Sequence, residues 1–461
     1  MALMIMLIYY FFFQDRKLNA PSSRKPIFQP DDQHMSATAT HVLPPLRHLV
    51  LLSLSFFTLF VAFTPSQSYA VVIFGNFGVL GVIILYTCFC LANLVAPYVV
   101  KRLGITFALT LGAMGYLPFV LALAVNSEIV FILGSVTCGG GAALLWVSIG
   151  CAVTLLSNPS TRGRRFGLFS FCNRLNFVGN LIAGILFSAG SIQTQVFWYL
   201  FVVSCVACLL LAVCGACVLV PLERAKISAT TATSAPMSNN TTCATIFQIM
   251  CHHSYIPFLC TNFVSSGFVR GWVFAVLTTW APNFSDVGYM MTFFGASIVV
   301  SGPIHGWLFD CVKSTRTRTS LLLITNVSGL LGVACVFHFR FLSSHNIAGY
   351  LVGACFFGFM TGGGEAVVNA GTSYLFPEKT SAAFAAKLLI ETFGQVCGYL
   401  IVPIFGQNYI GQLVLLLSVL CCSGAIVVYY TCCRRNAFGN ERGKEMDSVV
   451  VHDSLDGTIE L

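Results

Sequence analysis

The stretch Cys138–Gly150, CGGGAALLWVSIG, returns as Thr361–Ser373, TGGGEAVVNAGTS, with polar residues where the first copy is apolar. Aligning Gly139 with Gly362 sets an offset of 223 residues. Within each cassette, three consecutive glycines (Gly139, Gly140 and Gly141; Gly362, Gly363 and Gly364) strip the side chains from a whole helical turn. A neighbouring backbone or a ligand can then approach closely, so helix packing and substrate access are both readings of the motif. Other pairs agree with a duplication: Phe177–Gly184, FVGNLIAG, resembles Thr392–Tyr399, TFGQVCGY, and Ala96–Gly104, APYVVKRLG, resembles His305–Lys313, HGWLFDCVK.

Composition sets the environment of the repeat. Hydrophobic residues make up 57% of the 461-residue chain and charged residues only 9%, against about a quarter charged in soluble domains. Mean hydropathy is +0.84. The chain reads as a membrane protein with the lipid bilayer as its solvent. Apolar runs long enough to cross about 30 Å of hydrocarbon fall at 48–64, 72–95, 104–123, 128–154, 167–189 and 196–220. A second set follows at 255–280, 286–308, 319–339, 347–375, 381–404 and 408–431. The expected fold is all-α, with twelve transmembrane helices in two pseudo-symmetric six-helix halves. The halves are 47–222 and 253–433, flanked by an N-terminal segment (1–46) and a tail (434–461). The stretch 223–252 between them begins with the Ser/Thr-rich run ERAKISATTATSAPMSNNTT, which reads as a flexible linker.

Charge placement tests this layout. With both termini in the cytoplasm, twenty of the twenty-four Lys and Arg residues fall in cytoplasmic segments, three fall inside spans, and only Arg340 is external. The net charge of +8 therefore reflects topology, and the basic residues are too dispersed to suggest nucleic acid. The opening MALMIMLIYYFFF is too short to span; it reads as a membrane-surface segment or, within 1–34, as a mis-start upstream of Met35. The twenty cysteines lie mostly inside helices and read as small packing residues. Cys432 and Cys433, beside Arg434 and Arg435, suit S-palmitoylation or are plain interfacial thiols. Asn283-Phe-Ser is a glycosylation sequon in an external loop. His252 and His253, if helical, diverge by about 100° and make a poor metal pair. No nucleophile, phosphate-loop or metal-ligand pattern occurs, so neither an enzyme nor a cofactor is expected.

His305–Arg318, HGWLFDCVKSTRTR, resembles the loop signature of the major facilitator superfamily, carried here by Gly306, Asp310, Arg316 and Arg318. The first-half counterpart is degenerate, with Pro97 for the glycine and Lys101 for the aspartate. From Arg47 to the last span the chain resembles the uncoordinated-93-like family. The likeness is carried by Gly81–Ala124, by GGGAALLW ending at Trp146, and by STRGRRFGLFS from Ser160. That resemblance implies the major facilitator fold. Members of that family are linked to ion-channel regulation, potassium balance or receptor trafficking, so the resemblance implies the fold more closely than the activity.

Charges inside spans cost about 2.5–3.5 kcal/mol each on insertion scales, so each needs a reason. There are five: Arg174, Arg270, Glu365, Lys387 and Glu391. Glu365 and Asn369 are i,i+4 neighbours, and Lys387, Glu391 and Gln395 form a ladder of the same spacing. Lys387 either snorkels to headgroups or is buried; Arg270 has no partner evident in sequence. The sharpest expectation is an ion pair across the halves, Arg174 with Glu365 or Glu391, formed when the cavity faces outward and broken when it faces inward. These residues, with Asn369 and Trp146, are the candidate gate or substrate groups. The leading reading is a secondary transporter of a small solute or ion, and the second is a non-transporting subunit that binds a channel or receptor.

Overall fold

The computed structural model describes residues 46–157, 162–224, 243–312, 315–342, 347–376, 380–406 and 408–432. Expectations for the N-terminal segment, for 225–242, for Cys433 and for the tail lie outside these residues. Every regular element among the described residues is helical. The first half contains α1 (Leu46–Phe74), α2 (Asn76–Ala92), α3 (Ala96–Leu103), α4 (Ile105–Met114), α5 (Leu117–Ala124), α6 (Glu128–Leu155), α7 (Arg162–Arg174), α8 (Phe177–Ser188) and α9 (Gln193–Cys214). After α10 (Cys243–Met250), the second half contains α11 (Ile256–Asn262), α12 (Val269–Ala275), α13 (Phe284–Cys311), α14 (Thr315–Phe337), α15 (Ile347–Leu375), α16 (Thr380–Phe405) and α17 (Tyr409–Cys432).

Nine helical stretches among the described residues are long and apolar enough to cross a membrane, and the bent pair α2–α3 makes a tenth. The other two expected spans are helical but interrupted. The fifth breaks between Arg174 and Phe177, and the seventh opens into a wide π turn at Phe263–Phe268. Both interruptions lie beside in-membrane arginines, and such breaks in spanning helices occur where the backbone is buried in protein or lines a cavity.

Three boundaries differ from expectation for identifiable reasons. The first helix runs ten residues past 64, through Pro65 and the polar run to Phe74. Thr64, Ser66 and Ser68 each donate a hydroxyl to the carbonyl four residues back, at 2.7–2.9 Å, so their polarity is satisfied within the helix. The chain then reverses at Gly75, whose φ of 55° an L-residue adopts only with strain. The sixth span continues to Arg224. There Glu223 accepts the Ile105 N–H at 2.9 Å and caps α4. The linker is helical in its last part, because Ile246 and Ile249 at i,i+3 are both buried in a cluster with Tyr255 and Phe258.

The glycine cassettes bring helices into contact, at particular members only. On α6, a Cβ at Gly139 would strike the Leu85 carbonyl of α2, and one at Gly141 would lie 2.6 Å from the Gly112 carbonyl oxygen of α4. Gly140, expected to pack, faces open space. On α15, Gly362 meets Ser301 and Ile298 of α13, Gly363 faces the His305 ring of α13, and Gly364 meets Ser265 of the π turn. The second cassette is therefore closed on every side, whereas the first leaves one face free.

Overpacking a closed site costs about 1–3 kcal/mol. Leu at Gly139 or Gly363 is expected to lower the yield of folded protein at the membrane, while Gly140→Leu leaves it unchanged. Size-exclusion profiles of tagged variants measure this, and equal losses for all three would remove the distinction.

Candidate functional site

The seventh span meets α16 through four glycines spaced as two Gly-x-x-x-Gly pairs. Gly267 and Gly271 on one side interlock with Gly394 and Gly398 on the other. A Cβ at Gly267 would lie 2.8 Å from the Glu391 carbonyl oxygen, and one at Gly394 would strike the Phe263 carbonyl. Backbones this close bring the side chains between them together. The irregular turn at Phe263–Phe268 is satisfied from both neighbours: Gln395 Nε2 donates to the Ser266 carbonyl at 3.0 Å, and Thr361 Oγ1 to the Ser265 carbonyl at 3.0 Å. Arg270 follows this turn and faces α16.

All five in-membrane charges are paired, in two groups. Lys387 Nζ lies 2.8 Å from Glu391 Oε2 one helical turn away, and Arg270 Nη1 lies 3.4 Å from Glu391 Oε1. Glu391 is thus the partner of Arg270 that spacing did not reveal. With its side chain only 5% exposed, Lys387 is buried against Glu391 and does not snorkel. Arg174, at the end of α7, pairs with Glu365 of α15 across the two halves. Their side chains keep 21% and 18% exposure, so the pair is only partly buried.

Beyond the charged layer, toward the 280–284 connection, the halves close on each other. Gln67 Nε2 donates to the hydroxyl oxygens of Tyr86 at 2.6 Å and Tyr399 at 3.1 Å, and the two rings stack at 5.6 Å. Tyr69 and Phe187 both pack on Phe284, with ring centroids 4.9 Å apart. Gly288 of α13 meets the backbone of Gly184 in α8. Arg174 and Glu365 are therefore paired while the 280–284 end is shut.

Other expected residues stand apart. Trp146 packs on Phe56 and Phe60 of α1, at 5.3 and 5.6 Å, inside the first half and away from the charges. Asn369 lies one turn beyond Glu365 with its Oδ1 buried and without a hydrogen-bond partner. Gly306 faces open space and Asp310 is exposed, while the Arg316 side chain is outside the described residues. Arg318 performs the visible work of that loop: its guanidinium donates to the Val312 carbonyl at 2.8 Å and lies over the Phe309 and Tyr374 rings. Arg340, the one cation that the expected topology leaves external, sits over Trp280 and Tyr409, whose ring faces answer its charge. Asn283 caps α13 in a reciprocal bond with Asp286. His252 and His253 stack at 5.1 Å past the end of α10 instead of diverging along a helix. Cys432 is exposed at the end of α17. The Gln67–Tyr86–Tyr399 contact escaped the sequence reading because Gln67 lies in the polar run taken for a loop.

Two helical halves meeting around a buried, mixed-charge layer define a multi-pass membrane protein of transporter architecture. The chain belongs to the Major Facilitator Superfamily, whose profile matches residues 49–287. It is 30% identical over 132 residues to UNC93-like protein MFSD11 of Xenopus laevis, and 29% identical over 157 residues to UNC93-like protein 3 of Arabidopsis thaliana. These alignments cover 27% and 31% of this chain, and only 30% and 33% of the relatives' own lengths. Among solved structures, the peptide transporter POT in complex with sulfate has the same fold, with a TM-score of 0.62 at 13% identity over 83% of this chain and 94% of that one.

Removing one partner from a buried ion cluster leaves an uncompensated charge, at a cost of about 3–5 kcal/mol. Glu391→Gln is therefore expected to lower the apparent thermal midpoint in detergent clearly, and Glu391→Gln with Lys387→Gln to recover only part of the loss, because Arg270 stays unpaired. Equal midpoints for wild type and single variant would show the cluster to be energetically idle.

Proposed function

We propose that this protein is a secondary transporter that moves a small solute or ion by alternating access, with both termini in the cytoplasm. The observation that carries this reading is the Arg174–Glu365 pair. It joins the halves at mid-depth, beneath the closed contacts of Gln67, Tyr86 and Tyr399, and is only partly buried. A cross-half bond that forms in one arrangement and parts in another is the bistable element that rocking requires. In the form seen here it holds α7 to α15, and its loss lets the cytoplasmic side of the bundle open. Asn369, with its unpartnered carbonyl beside Glu365, belongs to the same lining.

The second reading, a non-transporting regulatory or trafficking subunit, is favoured by one observation. The second span bends by 67° between α2 and α3, where Pro97 and Lys101 replace the loop signature. That departure removes from the first half the loop chemistry found at Gly306 and Asp310. Solute flux into proteoliposomes of the purified chain separates the two readings.

Neutralising either partner, Arg174→Gln or Glu365→Gln, is expected to speed hydrogen exchange at residues 366–375 and 145–155 by about tenfold to a hundredfold. This corresponds to the roughly 1.5–3 kcal/mol carried by a charged hydrogen bond. The swap, Arg174→Glu with Glu365→Arg, restores part of the protection, whereas unchanged exchange in every variant would end the gating role. Tag protection in intact cells tests topology: an externally exposed tag within 225–242 would overturn the two-half arrangement.

A further inference from the structure

The second span is broken by its own sequence. In a continuous helix Pro97 would lack the N–H owed to the Asn93 carbonyl, and its ring would press on that carbonyl. The helix ends at Ala92 instead, and Pro97 takes a place in the first turn of α3, where a proline is tolerated. Its counterpart in the second half is Gly306, and α13 runs unbroken through that residue to Cys311.

The break inclines α3 by 67° to α2. A spanning helix leans only about 20° from the bilayer normal, so α3 runs nearer to the membrane plane than to the normal. One face of α3 is buried, through Ala96 and Val100. The opposite face continues an exposed apolar stripe of α2: Leu91, Val95 and Tyr98 follow one another at helical spacing, each more than half exposed. The stripe then turns basic. Arg102 lies with its guanidinium 5.3 Å from the centre of the Tyr98 ring, and Lys101 is exposed next to it in the chain. Among the described residues neither cation has a carboxylate partner, and Glu223, the acid beside Gly104, is spent on the Ile105 N–H. Hydrocarbon, then a phenol, then two cations is the order of layers that a lipid leaflet offers from its core to its phosphates.

We infer that α3 is a binding site for an anionic phospholipid, with Lys101 and Arg102 on the headgroup phosphate, Tyr98 at the interface, and Leu91 and Val95 along the acyl chain. The stacking on Tyr98 holds the Arg102 fork in one pose, which preorganises it for phosphate, and Lys101 adds a point charge. A phosphatidylcholine headgroup brings its own ammonium and gains little from the two cations, whereas a headgroup of net negative charge gains from both. The proposed orientation makes the leaflet the cytoplasmic one. The site itself depends neither on that orientation nor on transport.

The test places the full chain in nanodiscs of phosphatidylcholine alone, or of phosphatidylcholine with phosphatidylserine, and follows hydrogen exchange at 91–104. Phosphatidylserine is expected to slow exchange there about fivefold or more, the scale of one cation at an anionic surface. Lys101→Gln with Arg102→Gln abolishes the slowing and Tyr98→Ala reduces it. Arg47→Gln, which removes an exposed cation from α1, leaves it unchanged. All these side chains are exposed, so the variants keep the fold. Exchange that ignores phosphatidylserine, or slowing that survives loss of both Lys101 and Arg102, would overturn the inference. So would an equal loss in Arg47→Gln, which would leave only a general surface charge, or the same slowing by soluble glycerophosphoserine in phosphatidylcholine discs, which would put a free phosphate compound in place of lipid. Solute flux bears on transport alone and leaves this result standing either way.

Discussion

A charge in hydrocarbon has to be answered by another, and the arrangement of this bundle follows from how five such charges answer each other. Arg174 finds Glu365 only if the two halves meet, and Arg270 finds Glu391 only if the seventh span and α16 lie backbone to backbone. The first requirement concerns the relation between halves and the second the interior of one half. Small residues make both feasible. Gly267, Gly271, Gly394 and Gly398 remove the bulk that would hold Arg270 away from Glu391, and Gly184 and Gly288 do the same between the halves.

The two halves carry this burden unequally. The second holds four of the five charges, the closed glycine cassette, and a helix opened into a π turn whose carbonyls are satisfied by Gln395 and Thr361. The first contributes Arg174 and the Gln67–Tyr86 contact, and it keeps Gly140 facing open space. Polar residues entered the repeated cassette on one side only. A bond between halves needs opposite signs, and duplication with divergence supplies them where exact repetition cannot.

Much of this was legible in the sequence because hydrocarbon enforces simple rules. The tenth span is bounded as its apolar run suggested, and the Arg174–Glu365 pairing follows from depth and sign. The first helix was misjudged because Thr64, Ser66, Gln67 and Ser68 look like a loop until their hydroxyls are seen to bond back along the helix. Arg270 lacked a partner on paper because Glu391 is 121 residues away on a different helix, and only the glycine spacing hinted at contact. That hint was readable: Gly267-x-x-x-Gly271 and Gly394-x-x-x-Gly398 flank the two charges.

The abrupt reversal at Gly75 has counterparts along the same side of the bundle. Between Ala124 and Glu128, Ser188 and Gln193, and Trp280 and Phe284, no connection exceeds four residues. Helices of 28 or 29 residues such as α1, α6 and α15 are about 43 Å long, close to a bilayer with its headgroups included. At those three connections the polypeptide ends about where the headgroups end, and an antibody, protease or protein partner arriving through water meets helix ends and little else.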